Sequence, residues 1–336
     1  MPTSIVPGFA PGARERSRRV ENTELRPLGA GEILDRAVTL FVRQFVPIVI
    51  VLAIVLVPVM ALQAISQPHS GRVFSDMAAI IRAGTDTAAS REATKMMELD
   101  SGNGSLVVVV ILGGIILQLL MLSAIIATVA AAYSGSRVSV AEAYRTGLRC
   151  WFPQLVVGLV FIVIAIIGMI PPFILYLLTI FVAAALAALH ATIPAIVAGI
   201  VLGLIDIAAF AAVGAWAFMT YYAAAVAVVT ETSNAVTAIG IAMRRGLARP
   251  MLLRMVVGGF IILAVSYAGI IPVIGIAATV TALTHVEVLY FVINGVGTVL
   301  LQGLVTVFVV VYAIDVRVRR EGYDLALAAE PALPVA

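Results

Sequence analysis

A chain of 336 residues that is 62% hydrophobic and 12% charged, with a mean hydropathy of +1.13, cannot hide its apolar surface in a water-soluble core; soluble domains carry about 45–50% apolar and about 25% charged residues. The single cysteine, Cys150, excludes an internal disulfide and, beside Trp151, reads as a packing residue. The net charge is +3, and because Lys95 is the only lysine, nearly all the positive charge is arginine.

Residues 1–26, with Pro2, Pro7, Pro11 and Arg14, Arg16, Arg18 and Arg19, read as a disordered basic tail with no cleavable signal peptide. A helical membrane domain is expected over 27–327 and a short tail over 328–336. Across 31–45, Ile33, Leu34, Ala37, Val38, Phe41 and Phe45 fall on one helical side. Glu32, Asp35, Arg36, Thr39 and Arg43 fall on the other, the pattern of a helix lying in the membrane interface. A first span over 44–66 follows, then a polar outer loop over 67–105 and a second span over 106–132, which exceeds the roughly 20 residues needed to cross the hydrocarbon. Such runs must be helices, because only a helix satisfies its own backbone groups in lipid, and they are apolar on every face, unlike barrel strands.

Further interfacial helices are expected over 137–151 and 234–249. Shifting the chain by 100 positions superposes Arg145 on Arg245, Arg149 on Arg249, Gly158 on Gly258, Ile162 on Ile262 and Pro172 on Pro272, an internal repeat. Each unit reads as an interfacial helix, a span ending at proline, an outer connection and a returning span; the N-terminal unit follows the same order more loosely. Three such units give the expected fold class, an all-α polytopic helical membrane bundle of about six transmembrane helices. The apolar stretch 152–231 admits two or four spans. The repeat favours two, with 172–190 as an outer interfacial or re-entrant segment. Of the 21 lysines and arginines, 17 lie on one side of this topology, which the positive-inside rule makes cytoplasmic together with both termini.

Three pieces of the chain carry a resemblance. They are the opening Arg26-Pro27-Leu28-Gly29-Ala30-Gly31-Glu32-Ile33-Leu34-Asp35-Arg36-Ala37, the inner loop 229–249, and the ending Ala313-Ile314-Asp315-Val316-Arg317-Val318-Arg319-Arg320-Glu321-Gly322-Tyr323-Asp324-Leu325. Together they resemble the bacterial glycerophosphoryl diester phosphodiesterase membrane-domain family, over most of the chain. The resemblance implies a multi-helix domain of the bacterial inner membrane that some relatives join to a soluble phosphodiesterase. This chain departs there: it lacks the His-Arg opening and the downstream acidic and histidine residues that hold that domain's metal, and the inner-loop tryptophan is absent from 242–249. Only the membrane part is implied, without phosphodiesterase activity.

Motifs for chemistry are sparse. No glycine-rich turn precedes Lys95, and neither a Gly-x-Ser-x-Gly nor a His-Glu-x-x-His occurs. No catalytic residues, cofactor or metal are therefore expected, and the chain reads as a non-enzyme. His69, His190 and His285, with Glu287, fall on the outer side without shared ligand spacing, so they read as isolated interfacial residues rather than a metal site. Gly199 and Gly203 form a GxxxG that would let another helix approach closely.

Asp206 is the sharpest single residue. It falls near the middle of 193–230, where an ionised carboxylate costs about 2.5–3.5 kcal/mol or more. Two readings stand: an ion- or proton-coupling carboxylate, or an aspartate fixed by hydrogen bonds to Asn294, Gln302 or Gln118. Arg36, Arg43, Arg145, Arg149, Arg244, Arg245 and Arg249 are candidate contacts for anionic lipid headgroups, or else simply set the topology. The expected partners are membrane lipids and a membrane-protein partner or second copy, with no nucleic acid. The function expected is a membrane scaffold or accessory in envelope or lipid metabolism, with a small-solute or ion transporter built on Asp206 as the competing class.

Overall fold

The computed structural model describes residues 28–66, 104–133, 135–284 and 286–321. The basic leader, most of the 67–105 loop, the C-terminal tail, Lys95, His69, His285 and the side chains of Arg249 and Glu287 lie outside the described residues. Among those described, every regular element is a helix, and six helices are long and apolar enough to cross a membrane. The protein is thus all-α and polytopic, with helices α1 (Ala30–Arg43), α2 (Phe45–Ser66), α3 (Gly104–Tyr133), α4 (Val140–Ala188), α5 (Thr192–Thr230), α6 (Ala235–Gly246), α7 (Arg249–Thr284) and α8 (Glu287–Glu321). By internal contacts the described residues divide into two compact units, one of those within 28–30, 152–263 and 312–321, the other of those within 31–151 and 264–311.

The second of these units shows how local chemistry ends and begins helices. Pro47 lacks the N–H that would pair with Arg43, and the chain turns at Gln44 between α1 and α2. On α2 the buried residues Ile48, Val51, Leu52, Val55, Leu56 and Val59 recur at three- and four-residue spacing, the apolar ridge that packs against α3. Helix α3 stops in a Schellman turn. Gly135 adopts φ 73° and donates to Ala132 O, while Ser136 N donates to Ala131 O at 2.8 Å. Then Ser139 caps α4, its Oγ accepting from Glu142 N–H at 3.2 Å in a Ser-x-x-Glu sequence. Gly147 brings α4 onto α3, since a Cβ there would sit 2.7 Å from Leu120 O.

The other unit holds the returning hairpin of α4 and α5. Two spans, not four, cover 152–231, but the outer segment expected over 172–190 does not exist as a separate element. Helix α4 runs unbroken for 49 residues through Pro153, Pro171 and Pro172 to Ala188. Likewise α7 continues past Pro272 to Thr284, so neither span ends at its proline. In lipid an interior proline is tolerated because neighbouring groups take up the freed carbonyl. Nor is 137–151 a separate interfacial helix; from Val140 onward it is the first part of α4. The connection after α4 is a second Schellman turn, with His190 at φ 58° and Ala191 N–H donating to Leu186 O at 3.0 Å. His190 is therefore an exposed turn residue.

Burial along α5 is sharply uneven. Its second part supplies Ala215, Ala217, Met219, Thr220 and Tyr222 through Val228 to the interior, whereas its first part supplies only Ala195 and Asp206. Gly199 and Gly203 lie in that first part, and a Cβ at either would meet nothing within 4 Å. Among the described residues no helix approaches closely at this GxxxG. Close approaches use other glycines: Gly259, whose Cβ would lie 2.6 Å from Ala215, and Gly258, whose Cβ would lie 2.9 Å from the Tyr312 ring.

Candidate functional site

The polar chemistry of the first unit gathers where α5 ends, α6 turns back, α7 begins and α8 finishes. Asp315 on α8 has a side chain with no exposed surface. One turn further, Arg319 reaches back along the same helix face, Nε to Oδ2 at 2.9 Å. Arg254, early in α7, lies 3.6 Å from the same oxygen. The group closes on the backbone of one residue. Leu28 N–H donates to Asp315 Oδ1 at 2.7 Å, and Leu28 O accepts from Arg254 Nη2 at 2.9 Å and from Arg319 Nη2. Both main-chain groups of a buried, non-helical residue are thereby satisfied by side chains from two helices, and leaving them unmade would cost about 1–3 kcal/mol each.

A second triad stands on the same end of α8. Glu231, the C-cap residue of α5, takes a bidentate pair from Arg245 on the last turn of α6, Nη1 to Oε1 and Nη2 to Oε2 both at 2.8 Å. Arg317 Nε lies 3.5 Å from Oε1. The planar fork of arginine matches the carboxylate, and the C-terminal end of α6 favours its charge. The Arg245 side chain is 5% exposed and Glu231 12%. Each triad joins two guanidinium groups to one carboxylate.

The turn between α6 and α7 explains why Arg254 can reach this end. Pro250 has no N–H for the carbonyl of Gly246, and the chain breaks at Leu247 and Ala248. The indole of Trp216 takes the orphan instead, Nε1 to Gly246 O at 3.3 Å. Asn234 starts α6 by accepting from Val236 N and Thr237 N.

Of the arginines expected to meet lipid whose side chains are described, only Arg245 enters this cluster, paired with Glu231. Arg43, Arg145, Arg149 and Arg244 are exposed. Arg36 is half-buried in the other unit, donating to Tyr133 Oη at 3.2 Å with its guanidinium 5.2 Å from that ring's centre. Sequence reasoning did not single out Glu231, Arg254, Asp315, Arg317 or Arg319. The signal was nevertheless present: Leu28, Glu231 with Arg245, and Asp315 with Arg317 and Arg319 lie in the three pieces that carry the family resemblance.

Asp206 stands apart. It is 2% exposed, while its neighbours Ile205 and Ile207 are 48% and 66% exposed, so the one polar residue of this stretch turns inward and the apolar ones outward. Neither carboxyl oxygen has a hydrogen-bond partner among the described residues. A buried carboxyl without a donor costs several kcal/mol when charged.

Among the described residues no three or more His, Cys, Asp or Glu side chains come together as a metal site. A depression of about 360 Å³ is lined by Pro272, Gly275, Ile276, Thr279 and Val280, all from one face of α7. No family model, curated protein or solved structure matches the chain.

Proposed function

We propose that the protein is a non-enzymatic membrane scaffold or accessory in envelope or lipid metabolism, seated in the bacterial inner membrane with both termini cytoplasmic. The observation that carries this reading is the convergence of the three resemblance pieces on one end of the first unit. There the ionic groups grip the backbone of Leu28 and the ends of α5, α6, α7 and α8 rather than converge on an open space. Charge used in this way holds a form. The resemblance to the glycerophosphoryl diester phosphodiesterase membrane-domain family supports lipid or envelope metabolism as the setting.

One observation favours a second reading, a small-solute or ion transporter: Asp206, inward-facing and without a donor. The two readings part in liposomes holding a pH-sensitive dye, with wild type and Asp206→Asn compared across imposed proton and cation gradients. The scaffold reading expects no protein-dependent flux from well-folded protein. Gradient-driven flux abolished by Asp206→Asn would overturn it and establish transport.

A further inference from the structure

We infer that Asp206 and Thr179 together form a binding site for a monovalent alkali cation, enclosed within the hairpin of α4 and α5. This goes beyond the scaffold reading and requires no transport. Burial singles the pair out. From Phe173 to Val213, where the two helices run out to their connecting turn and back, the only buried residues are Thr179, Ala195 and Asp206. Two of these three are polar, in a stretch whose Phe173, Leu177, Phe181 and Ile200 are exposed.

The register of the hairpin brings the two together. An added Cβ on Gly168 would lie 3.2 Å from Val213, and one on Gly214 would lie 3.6 Å from Met169. Counting outward from these contacts sets Asp206 opposite Leu175, one turn from Thr179. Helical side chains tilt toward the N-terminus, and because α4 and α5 are antiparallel the tilt turns Thr179 and Asp206 toward each other. Thr179 Oγ1 donates its one hydrogen to Leu175 O at 3.1 Å, so toward the carboxyl it offers only a lone pair. Neither Asp206 oxygen has a hydrogen-bond partner among the described residues. The facing groups are thus acceptors without a donor, and hard oxygen acceptors around a negative charge suit a cation.

Charge fixes the valence. Asp206 is the only Asp, Glu, Lys or Arg from Phe152 to Thr230, so a monovalent ion leaves the site neutral, whereas a divalent one would leave a charge uncompensated in apolar surroundings. Gly199 and Gly203 share the face of α5 that carries Asp206, and a Cβ on either would meet nothing within 4 Å, which leaves room for an ion that keeps part of its water.

The test is thermal unfolding of the full chain in one detergent, in lithium, sodium, potassium or choline chloride at equal ionic strength and pH. At least one alkali ion is expected to raise the wild-type midpoint above its value in choline, by about 3–5 °C at a hundredfold excess over its dissociation constant. Asp206→Asn, which keeps the shape and removes the charge, should give one midpoint in all four salts. Thr179→Val, which keeps the volume and removes the oxygen, should need about tenfold more of the ion for half its effect; it decides the matter should Asp206→Asn fail to fold. Equal wild-type midpoints in all four salts, an ion response that persists in Asp206→Asn, or a Thr179→Val response identical to wild type overturns the proposal. That failure would leave the scaffold reading to its own flux measurement, and an ion response without flux would support both.

Discussion

The stretches 140–188 and 235–284 descend on the sequence as two copies of one pattern, yet they meet different fates. In the first, helix α4 passes through Pro153 without a stop. In the second, Pro250 parts the pattern into α6 and α7, and Trp216 satisfies the orphaned carbonyl. Arg145 is exposed, while Arg245, its counterpart, is buried against Glu231. A Cβ on Gly158 would meet nothing within 4 Å, whereas one on Gly258 would strike the Tyr312 ring. A repeat in sequence thus preserves the order of elements while the surroundings of each copy decide which residues carry energy.

The largest expected effect comes from the ion pair that only the second copy has. Glu231→Gln leaves the buried Arg245 guanidinium without its anion, and should destabilise by about 3–5 kcal/mol, whereas Arg145→Gln should change stability by no more than about 0.5 kcal/mol. Thermal unfolding of the two variants in one detergent measures the difference directly; similar midpoints would erase the distinction between the copies.

Glycine substitution comes next. Gly258→Ala puts a methyl 2.9 Å from Tyr312 Cε2, and overpacking of this kind costs about 1–3 kcal/mol. Gly158→Ala has open space and should be neutral or slightly stabilising, since alanine is the better helix former. Chemical denaturation of the pair reads the sign of each change, and a stabilising Gly258→Ala would contradict the packing described.

The broken turn offers a sharper test through coupling. Trp216→Phe removes the donor to Gly246 O and should cost about 1–3 kcal/mol. In a Pro250→Ala background a backbone N–H becomes available to that carbonyl, so the same substitution should cost less. Additive losses in the double-mutant cycle would mean that the indole does not stand in for the missing amide.

Smallest is the effect at the helix starts, where the copies are alike. Asn234→Ala removes the cap of α6 and Ser139→Ala that of α4, each for about 1 kcal/mol. Hydrogen exchange of the first-turn amides should rise locally in both variants, and a rise confined to one would reveal a further difference between the copies.

Much of the architecture was legible from composition and period alone. Helices of about 20 or more apolar residues follow from backbone hydrogen bonding in lipid, and the first two spans lie within two residues of where their apolar runs placed them. The prolines misled. Pro172 and Pro272 read as span ends because a proline breaks helices in water, but they lie inside α4 and α7. Asp206 was legible as a conspicuous residue. Its want of a donor among the described residues was not, since that depends on which side chains packing brings near.

By itself the sequence determined the all-α class, the six long apolar helices, the order of the repeated elements and the caps and turns at Ser139, Gly135 and Asn234, because each of these follows from hydrophobicity or from backbone bonding within a few residues. Only the tertiary structure decided that Leu28 meets Asp315, that Arg245 rather than Arg145 is buried, and that Arg254 and Arg319 converge. These pairings join residues as much as 291 positions apart. Every arginine carries the same charge, and which one finds a carboxylate depends on helix packing that no local spacing encodes.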